Sequence, residues 1–467
     1  MSDANTNFRP LSLLVGSAYF MEQLDSTIIA PAVPEIAQAL GVGALSLDLS
    51  MTVYLLCSVI FIPLSGLLAG RWGTRATFRG AMLVFALSSA MCGFAPTLPA
   101  LIAARAVQGF SGALMVPVGR IAIVRTAPRA QLVLALAWMI TPAMLGPLFG
   151  PPLGGLISTF ASWRWIFWIN IPIGLVGFVL AGRVVPQIVE EDDSPFHLWE
   201  WLSLGVALAS LVAMLEIVRH QAIPGAAYFG LGVTFALSTA CYIAAARRSR
   251  RPLLDFGLLR FQTFKTSFWA GSLVRVGYGA LPFLLPLMLQ IGLGYSAVKS
   301  GAVLLASGAI AFVTKTQTTG LLRRFGFRSV LIVNGVLCSA ALMACAAFRA
   351  EWGFTLIAVI VSAGGFSRSV QFNALAAIAY ADLPASKVSP ATTLNTAAQQ
   401  LAVMLGISIG TVIVGVSAQL GMRAQPVAAD FSHAFAAIGC VAMLSVVFCL
   451  RLSAQAGHEL SGHAARR

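Results

Sequence analysis

Two carboxylic acids stand inside the first long apolar run of the chain. Glu22 and Asp25 are three residues apart, so they share one face of a helix. Beside a cation such a group stays ionised, whereas in dry apolar surroundings it can hold a proton near neutral pH. We therefore interpret both residues as candidate proton-coupling groups. The alternative is that they form static salt bridges with Arg105 or Arg120.

A second polar pair with the same spacing lies in the fourth apolar run. Arg105 and Gln108 share a helix face. We interpret Arg105 as part of the proton-coupling group, with a fixed structural ion pair as the alternative, and Gln108 as a candidate substrate ligand. Arg120 lies nearer the cytoplasmic end of this run, where it either takes part in gating or extends its guanidinium to the membrane interface.

The embedded polar residues of the second half of the chain are cationic or neutral. They are Arg275, Tyr278, Lys315, Arg368, Gln371 and Asn373. Charges at membrane depth are costly and usually face a cavity or a partner. Because a guanidinium fork grips carboxylate and phosphate groups, this excess of cations predicts a site for an anionic or zwitterionic substrate. Salt bridges and gating contacts between helix bundles are the alternative.

The elements that must hold these residues are membrane-spanning helices. The chain is 58% hydrophobic and 10% charged, against roughly 45–50% and about 25% in soluble domains. A spanning helix needs roughly 20 mostly apolar residues. We predict fourteen spans, at residues 10–30, 48–69, 77–95, 98–124, 131–158, 164–182, 199–218, 225–246, 265–290, 298–320, 328–348, 352–380, 391–418 and 431–453.

The net charge of +14 is concentrated in alternating short loops between the apolar runs. This pattern follows the positive-inside rule and predicts that both termini are cytoplasmic. Nucleic-acid binding is not indicated, because the basic residues are not interleaved with aromatic residues on a polar surface. The predicted location is the bacterial inner membrane, with the chain crossing it many times in contact with lipid.

The spans group into two halves. We predict a six-helix bundle at 1–182, a linker at 183–198, two inserted helices at 199–246, a basic cytoplasmic linker at 247–264, a second six-helix bundle at 265–453 and a cytoplasmic tail at 454–467. The halves share a short echo, in which G-L-L is followed by R-x-G-x-R at residues 66–75 and 320–328. The loop arginines Arg71 and Arg75 are predicted gating residues. Repeated halves are common in carriers that open alternately to either side.

The fifth apolar run is unusually rich in glycine and proline. Glycines permit close helix approach and prolines bend a helix. We predict a packing seam between bundles that helps decide which side opens, formed by Gly146, Gly150, Pro151, Gly154 and Gly155.

Four stretches in the first 180 residues carry a resemblance to a known family. They are L-D-S-T-I-I at 24–29, R-A-V-Q-G at 105–109, the glycine–proline stretch at 146–155, and W-R-W-I-F with I-N-I-P at 163–172. In this order they resemble signatures of the major facilitator superfamily, and more narrowly of its fourteen-span drug:proton antiporter branch. Residues 104–120 are very similar to the same stretch of MdtD/HsrA-type transporters. The resemblance implies the major facilitator fold. Within it, the match of the glycine–proline stretch in the fifth run implies that the protein is an exporter.

One departure stands in the loop between the second and third spans. The family motif has an acidic residue where this chain has Gly70, and a basic residue where it has Thr74. The charge-based latch that the resemblance implies for this loop is therefore missing.

Together these features predict a proton-coupled exporter of small organic molecules or drugs that works as a monomer by alternating access. A dedicated exporter of a metabolite such as citrate or a metal–citrate-like anion is the alternative, and a membrane-embedded enzyme or receptor is a remote alternative. We expect no enzyme, because the five histidines do not combine with acidic or hydroxyl residues in a catalytic pattern. We also expect no cofactor and no metal site, with the proton gradient as energy source, since the chain has no phosphate-binding G-x-x-x-x-G-K-S/T motif.

Overall fold

The computed structural model describes residues 8–128, 131–189, 197–218, 225–249, 252–314, 317–384, 387–423, 425–453 and 455–458. Within these ranges the chain is helical and contains no strand. The first helices are α1 (Arg9–Ile28), α2 (Val33–Leu40), α3 (Asp48–Trp72), α4 (Thr74–Phe94), α5 (Leu98–Thr126), α6 (Leu132–Phe160), α7 (Trp165–Trp168) and α8 (Asn170–Val184).

The remaining helices follow the same pattern of long apolar segments joined by short connections. They are α9 (Leu198–Ile217), α10 (Gly225–Arg248), α11 (Gln262–Leu287), α12 (Ala297–Thr314), α13 (Thr318–Ala344), α14 (Phe354–Ile378), α15 (Val388–Leu420), α16 (Ala428–Met443) and α17 (Ser445–Leu450).

Every predicted span coincides with one of these helices or with a closely joined pair. Thirteen helical stretches of the described chain are long and apolar enough to cross a membrane. The first predicted span, α1, is 20 residues long but less apolar, because Glu22, Gln23 and Asp25 lower its mean hydropathy. The all-helical membrane fold is therefore confirmed, and the protein is a multi-pass membrane protein.

The boundary between the tenth and eleventh spans was predicted wrongly. Helix α12 already ends at Thr314, and α13 begins at Thr318 and runs through the predicted loop. Its only interruption is Gly326, whose φ of +73° and ψ of 164° are not helical. A single glycine therefore makes the break, because only glycine adopts this conformation without steric cost.

The break between α3 and α4 is built in the same way. Gly73 alone separates these helices, with φ of +83° and ψ of 158°. Gly73 and Gly326 are the central glycines of the two R-x-G-x-R stretches. The two similar sequence stretches therefore also share their backbone conformation at the central glycine.

The chain divides into two compact units, residues 1–201 and 202–467. The first unit contains α1 to α8 and the start of α9. There the indole nitrogen of Trp201 donates to the carbonyl oxygen of Ile60 at 2.7 Å. Helix α10 belongs to the second unit. Only 6% of the residues in its most apolar 18-residue segment are buried, the lowest share among the thirteen stretches. The separation of residues 199–246 as an inserted pair stays a prediction.

Three glycines of α6 let α1 approach this helix closely. A Cβ on Gly146 would lie 2.7 Å from the backbone nitrogen of Leu24, and a Cβ at either of the next two positions would collide with α1 as well. The three positions are Gly146, Gly150 and Gly154. These three residues pack against α1 within the first unit, and the seam between bundles stays a prediction. Their effect is to fix the half of α1 that carries the acidic residues.

The second unit has a matching seam that the sequence analysis missed. Gly406 of α15 packs against α11, and a Cβ there would lie 2.9 Å from the carbonyl carbon of Val276. On the facing helix, a Cβ on Gly279 would lie 2.6 Å from the Cα of Val403.

The other two predicted seam residues of α6 in the first unit, Pro151 and Gly155, are buried.

Candidate functional site

Asp25 lies at the centre of a buried polar network in the first unit. One carboxylate oxygen, Oδ1, accepts hydrogen bonds from Gln108 Nε2 at 2.9 Å and Asn170 Nδ2 at 2.8 Å. The other, Oδ2, pairs with the guanidinium of Arg105. Asp25 is 1% exposed and Arg105 is 0% exposed. Such a carboxylate is compensated by one cation and two further donors, as a buried charge requires.

Helix α5 positions two of these groups. It begins after Thr97, whose side chain accepts a hydrogen bond from the backbone nitrogen of Ala100 at 3.4 Å, so the N-terminus is capped. Arg105 and Gln108 follow on one face, and Arg105 Nη1 donates to Gln108 Oε1 at 2.7 Å. The sequence prediction that these residues share a face is confirmed.

The amide of Gln108 connects its own helix α5 with α1 and α4. Its nitrogen donates to Asp25 of α1 and to Ser89 Oγ of α4 at 2.8 Å, and its oxygen accepts from Cys92 Sγ at 3.6 Å. Asn170 adds α8 to the same network. Because both polar atoms of Gln108 already have partners, the predicted contact with substrate would have to displace one of them.

Aromatic rings cover the rest of the Arg105 guanidinium. Its central carbon lies 4.3 Å from the ring centre of Tyr54 and 5.9 Å from that of Phe167. The Nε and Nη2 atoms make no hydrogen bond within the described chain. The cation is therefore held by one carboxylate, one amide and the faces of aromatic rings.

Glu22, one turn before Asp25, is in a different situation. Its Oε2 atom is buried and has no hydrogen-bond partner among the described residues, and the same holds for the hydroxyl of Tyr54. Gly112 lies beside both groups, since a Cβ there would be 3.2 Å from Tyr54 Oη and 3.8 Å from Glu22 Cδ. The two predicted proton-coupling carboxyls thus share a helix face but not their partners.

The sequence analysis missed four members of this cluster, namely Tyr54, Ser89, Cys92 and Asn170. Asn170 stood inside one of the stretches that carried the family resemblance, which was its only signal. It lies 145 positions from Asp25 along the chain. Spacing along one helix cannot reveal such a contact.

A second cluster, in the second unit, combines cations with aromatic rings. The Arg275 guanidinium lies 4.5 Å from the ring centre of Phe372, and that of Arg368 lies 5.8 Å from the ring centre of Tyr278. The two rings meet edge to face with centroids 6.4 Å apart. Neither arginine has an ion-pair partner in the part of the chain that the structure describes. The structure thus brings together the predicted residues Arg275, Tyr278 and Arg368.

Tyr278 also anchors α11 to its neighbours. Its buried hydroxyl donates to the carbonyl oxygen of Cys338 on α13 at 2.9 Å. This hydroxyl is therefore engaged with the backbone, and the face of its ring is the part next to Arg368.

The two predicted amides of α14 point elsewhere. Gln371 is fully buried, accepts from Asn334 Nδ2 at 3.0 Å and donates to the carbonyl oxygen of Leu331 at 3.3 Å. Asn373 Nδ2 donates to Ser369 Oγ at 3.4 Å. Gln371 therefore ties α14 to α13, and neither amide contacts the arginine cluster. Lys315, the remaining predicted substrate ligand, lies outside the described residues.

Comparison with known proteins identifies the family. The sequence profile of the Major Facilitator Superfamily matches residues 15–406. The chain belongs to this superfamily. It is therefore a transporter and not an enzyme.

Similar proteins support the same assignment over most of the chain. A protein of Pectobacterium carotovorum subsp. carotovorum (strain PC1) named "Putative multidrug resistance protein MdtD" is 33% identical over 413 residues, which is 88% of each chain. A protein of that name from Escherichia coli O17:K52:H18 is 32% identical over 416 residues, covering 89% of this chain and 88% of its own. The solved D-xylose–proton symporter superposes with a TM-score of 0.67 at 16% identity, over 95% of this chain and 97% of its own, and so shows the fold.

This superfamily member closes its first R-x-G-x-R loop with backbone contacts. Arg75 Nε donates to the carbonyl oxygen of Val185 at 2.7 Å, and Thr74 Oγ1 donates to that of Pro186 at 2.6 Å. Gln187 Nε2 donates to the carbonyl oxygen of Trp72 at 2.8 Å. Thr74, which departs from the family motif, is thus a central contact of the loop.

The other predicted gating arginines differ in their surroundings. Arg71 is exposed at the end of α3, and Arg120 is half-buried in α5. In the second unit, Arg328 repeats the role of Arg75, since its Nη2 donates to the carbonyl oxygen of Leu450 at 3.3 Å. The first R-x-G-x-R stretch therefore binds the end of α8, and the second binds the end of α17.

Proposed function

We propose that this transporter exports small organic molecules or drugs across the bacterial inner membrane in exchange for protons. The observation that carries the proposal is the buried pairing of Asp25 with Arg105, beside a second carboxyl on Glu22. Proton coupling requires ionisable groups whose protonation changes the balance between conformations. Two carboxyls close to one buried arginine supply such groups, because protonation of a carboxyl changes the charge balance around that cation.

Export is supported by the names of the relatives, which refer to multidrug resistance. The proton gradient would supply the energy, without a cofactor. The protein would act as a monomer embedded in lipid, with one small-molecule substrate and protons as its partners.

The Asp25→Asn variant tests this function. An amide keeps the shape of the side chain but removes the negative charge that pairs with Arg105. In proteoliposomes with ethidium and citrate as probes, we expect the imposed pH gradient to drive transport by the wild type and not by the variant. Glu35→Gln is the matched control, because Glu35 lies on α2 outside the Asp25 network. Wild-type rates in Asp25→Asn would contradict the proposal.

A specific observation favours anionic or zwitterionic substrates. Arg275 and Arg368 are embedded cations without a carboxylate partner in the described chain, whereas a pocket for bulky cations would need acidic groups. A substrate carboxylate or phosphate could supply the missing charge. This second candidate is a dedicated exporter of a metabolite anion such as citrate or a metal–citrate complex.

The Arg368→Ala variant separates the two candidates. Loss of one charged hydrogen bond should weaken citrate binding by about tenfold or more, while ethidium binding changes little. Thermal shift of the purified protein over a ligand series measures both. Arg164→Ala is the matched control, since Arg164 lies 4.6 Å from the ring centre of Trp163 in the first unit. Equal effects of Arg368→Ala on both ligands would contradict an anion site.

A further inference from the structure

We infer that the exchanged proton binds at Glu22, near the hydroxyl of Tyr54, while Asp25 is a positioning residue that holds Arg105. This inference rests on the proposed proton coupling and divides its work between two carboxyls. Asn170 is assigned as a second positioning residue, because it holds Asp25 from α8.

The hydrogen bonds of Asp25 argue against proton exchange at this residue. Both carboxylate oxygens are occupied, by Arg105 on one side and by the amides of Gln108 and Asn170 on the other. All three partners donate, so all three favour the ionised carboxylate. A proton arriving at Asp25 would have to break the ion pair and leave the Arg105 charge buried without compensation.

Glu22 has the opposite surroundings. It is buried, and its Oε2 atom has no hydrogen-bond partner in the described chain. An ionised carboxylate in such a place would lack compensation for its lost hydration. As a neutral acid, Glu22 can reside there without a counter-charge. Ionisation then requires a conformation in which water or a donor reaches the carboxylate, and that requirement is what couples protonation to alternating access.

Tyr54 can serve both protonation states of Glu22. A hydroxyl accepts a hydrogen bond from the protonated carboxyl and donates one to the carboxylate. Its own oxygen has no partner among the described residues. Gly112 keeps the space between the two groups free of side chain, because a Cβ there would contact both. The ring face of the same tyrosine covers Arg105 at 4.3 Å, so it also links Glu22 to the ion pair.

The charged and titratable groups around Glu22 come from three helices. Tyr19 and Asp25 of α1 and Tyr54 of α3 interact with it electrostatically; Arg105 of α5 acts on Tyr54, and Arg120 of the same helix acts on Tyr19. Of these two cations, Arg105 is paired with Asp25, and Arg120 donates no hydrogen bond to Glu22 Oε2. The arrangement therefore provides one compensated carboxylate and one carboxyl that is free to change protonation state.

Infrared pH-difference spectroscopy on the purified protein in lipid tests the assignment without any substrate. We expect a protonated-carboxyl band of a buried acid in the wild type and in Glu35→Gln, and its loss in Glu22→Gln. In Tyr54→Phe the band should persist, because the Tyr54 hydroxyl makes no hydrogen bond to Glu22 Oε2 in this structure. A band retained in Glu22→Gln would overturn the inference.

Transport measurements distinguish failure of this inference from failure of the proposed function. With ethidium and citrate as probes, Glu22→Gln should lose transport driven by a pH gradient but keep exchange at equal pH near the wild-type rate. Asn170→Ala should impair both, and Asn170→Asp should not restore them, since it adds a carboxylate beside Asp25. Gradient-driven transport by Glu22→Gln would overturn the inference alone. A wild type that ignores the gradient would overturn the proposed function.

Discussion

The polar centres of the two units differ in how their charges are compensated. In the first unit, Arg105 pairs with Asp25, and amides from two helices complete the hydrogen bonds of the carboxylate. In the second unit, Arg275 and Arg368 lie against aromatic rings and have no carboxylate among the described residues. The first unit thus holds a buried ion pair, whereas the second holds arginines without an ion-pair partner among the described residues.

This difference suggests how the work of a carrier is divided. Because both oxygens of Asp25 are occupied by donors, we assign proton binding in the first unit to the neighbouring carboxyl of Glu22. Uncompensated cations can bind an external anion, because the ligand supplies the charge that the protein lacks. We therefore expect substitutions in the first unit to change coupling and stability, and those in the second to change recognition.

Removing the cation from each centre should give the largest contrast. Arg105→Met leaves Asp25 buried without its cation, which should cost about 3–5 kcal/mol of stability. Arg275→Met leaves no carboxylate behind and loses its contact with Phe372 and a hydrogen bond to the carbonyl oxygen of Gly271. Its cost should therefore be smaller, about 1–2 kcal/mol. Thermal unfolding of both variants in the same detergent measures the difference.

The double variant Asp25→Asn with Arg105→Met sharpens this test. Removal of both charges should recover part of the stability lost in Arg105→Met, because no unpaired charge remains. If Arg105→Met and Arg275→Met were equally destabilised, the two centres would not differ in compensation.

The membrane helices were predictable because their signal is local. A run of roughly 20 apolar residues identifies a span whatever its partners are. The one misplaced boundary, near Thr314, arose because the R-x-G-x-R stretch was interpreted as a loop. Gly326 alone breaks the helix there, and a single glycine in an apolar pattern does not disclose a positive φ.

The members of the site could be predicted only where a single helix carries them. The spacing of Glu22 with Asp25 and of Arg105 with Gln108 put each pair on one face. That Asp25 has three donors while Glu22 has none depends on Asn170 and on the packing of four helices. Likewise, Arg368 and Gln371 are neighbours on α14, yet only the first lies in the cation cluster, because Gln371 pairs with Asn334.

The glycine seams should show a smaller version of the same contrast. Gly154→Ala would push a methyl group into α1, and Gly406→Ala would push one into α11. Overpacking of this kind costs about 1–3 kcal/mol, so both variants should melt at lower temperature. Gly66→Ala is the matched control, because nothing lies within 4 Å of a Cβ at this position of α3. It should be neutral or stabilised by up to about 1 kcal/mol.

The two seam variants should differ in which activity they disturb. Gly154 fixes the half of α1 that carries Glu22 and Asp25, so its substitution should change the pH dependence of transport more than ligand affinity. Gly406 fixes α11 next to Val276, one residue from Arg275, so its substitution should weaken citrate binding and leave the infrared carboxyl band unchanged. Identical changes in both variants would mean that each seam serves general stability, because a local displacement of one centre cannot alter the other in the same way.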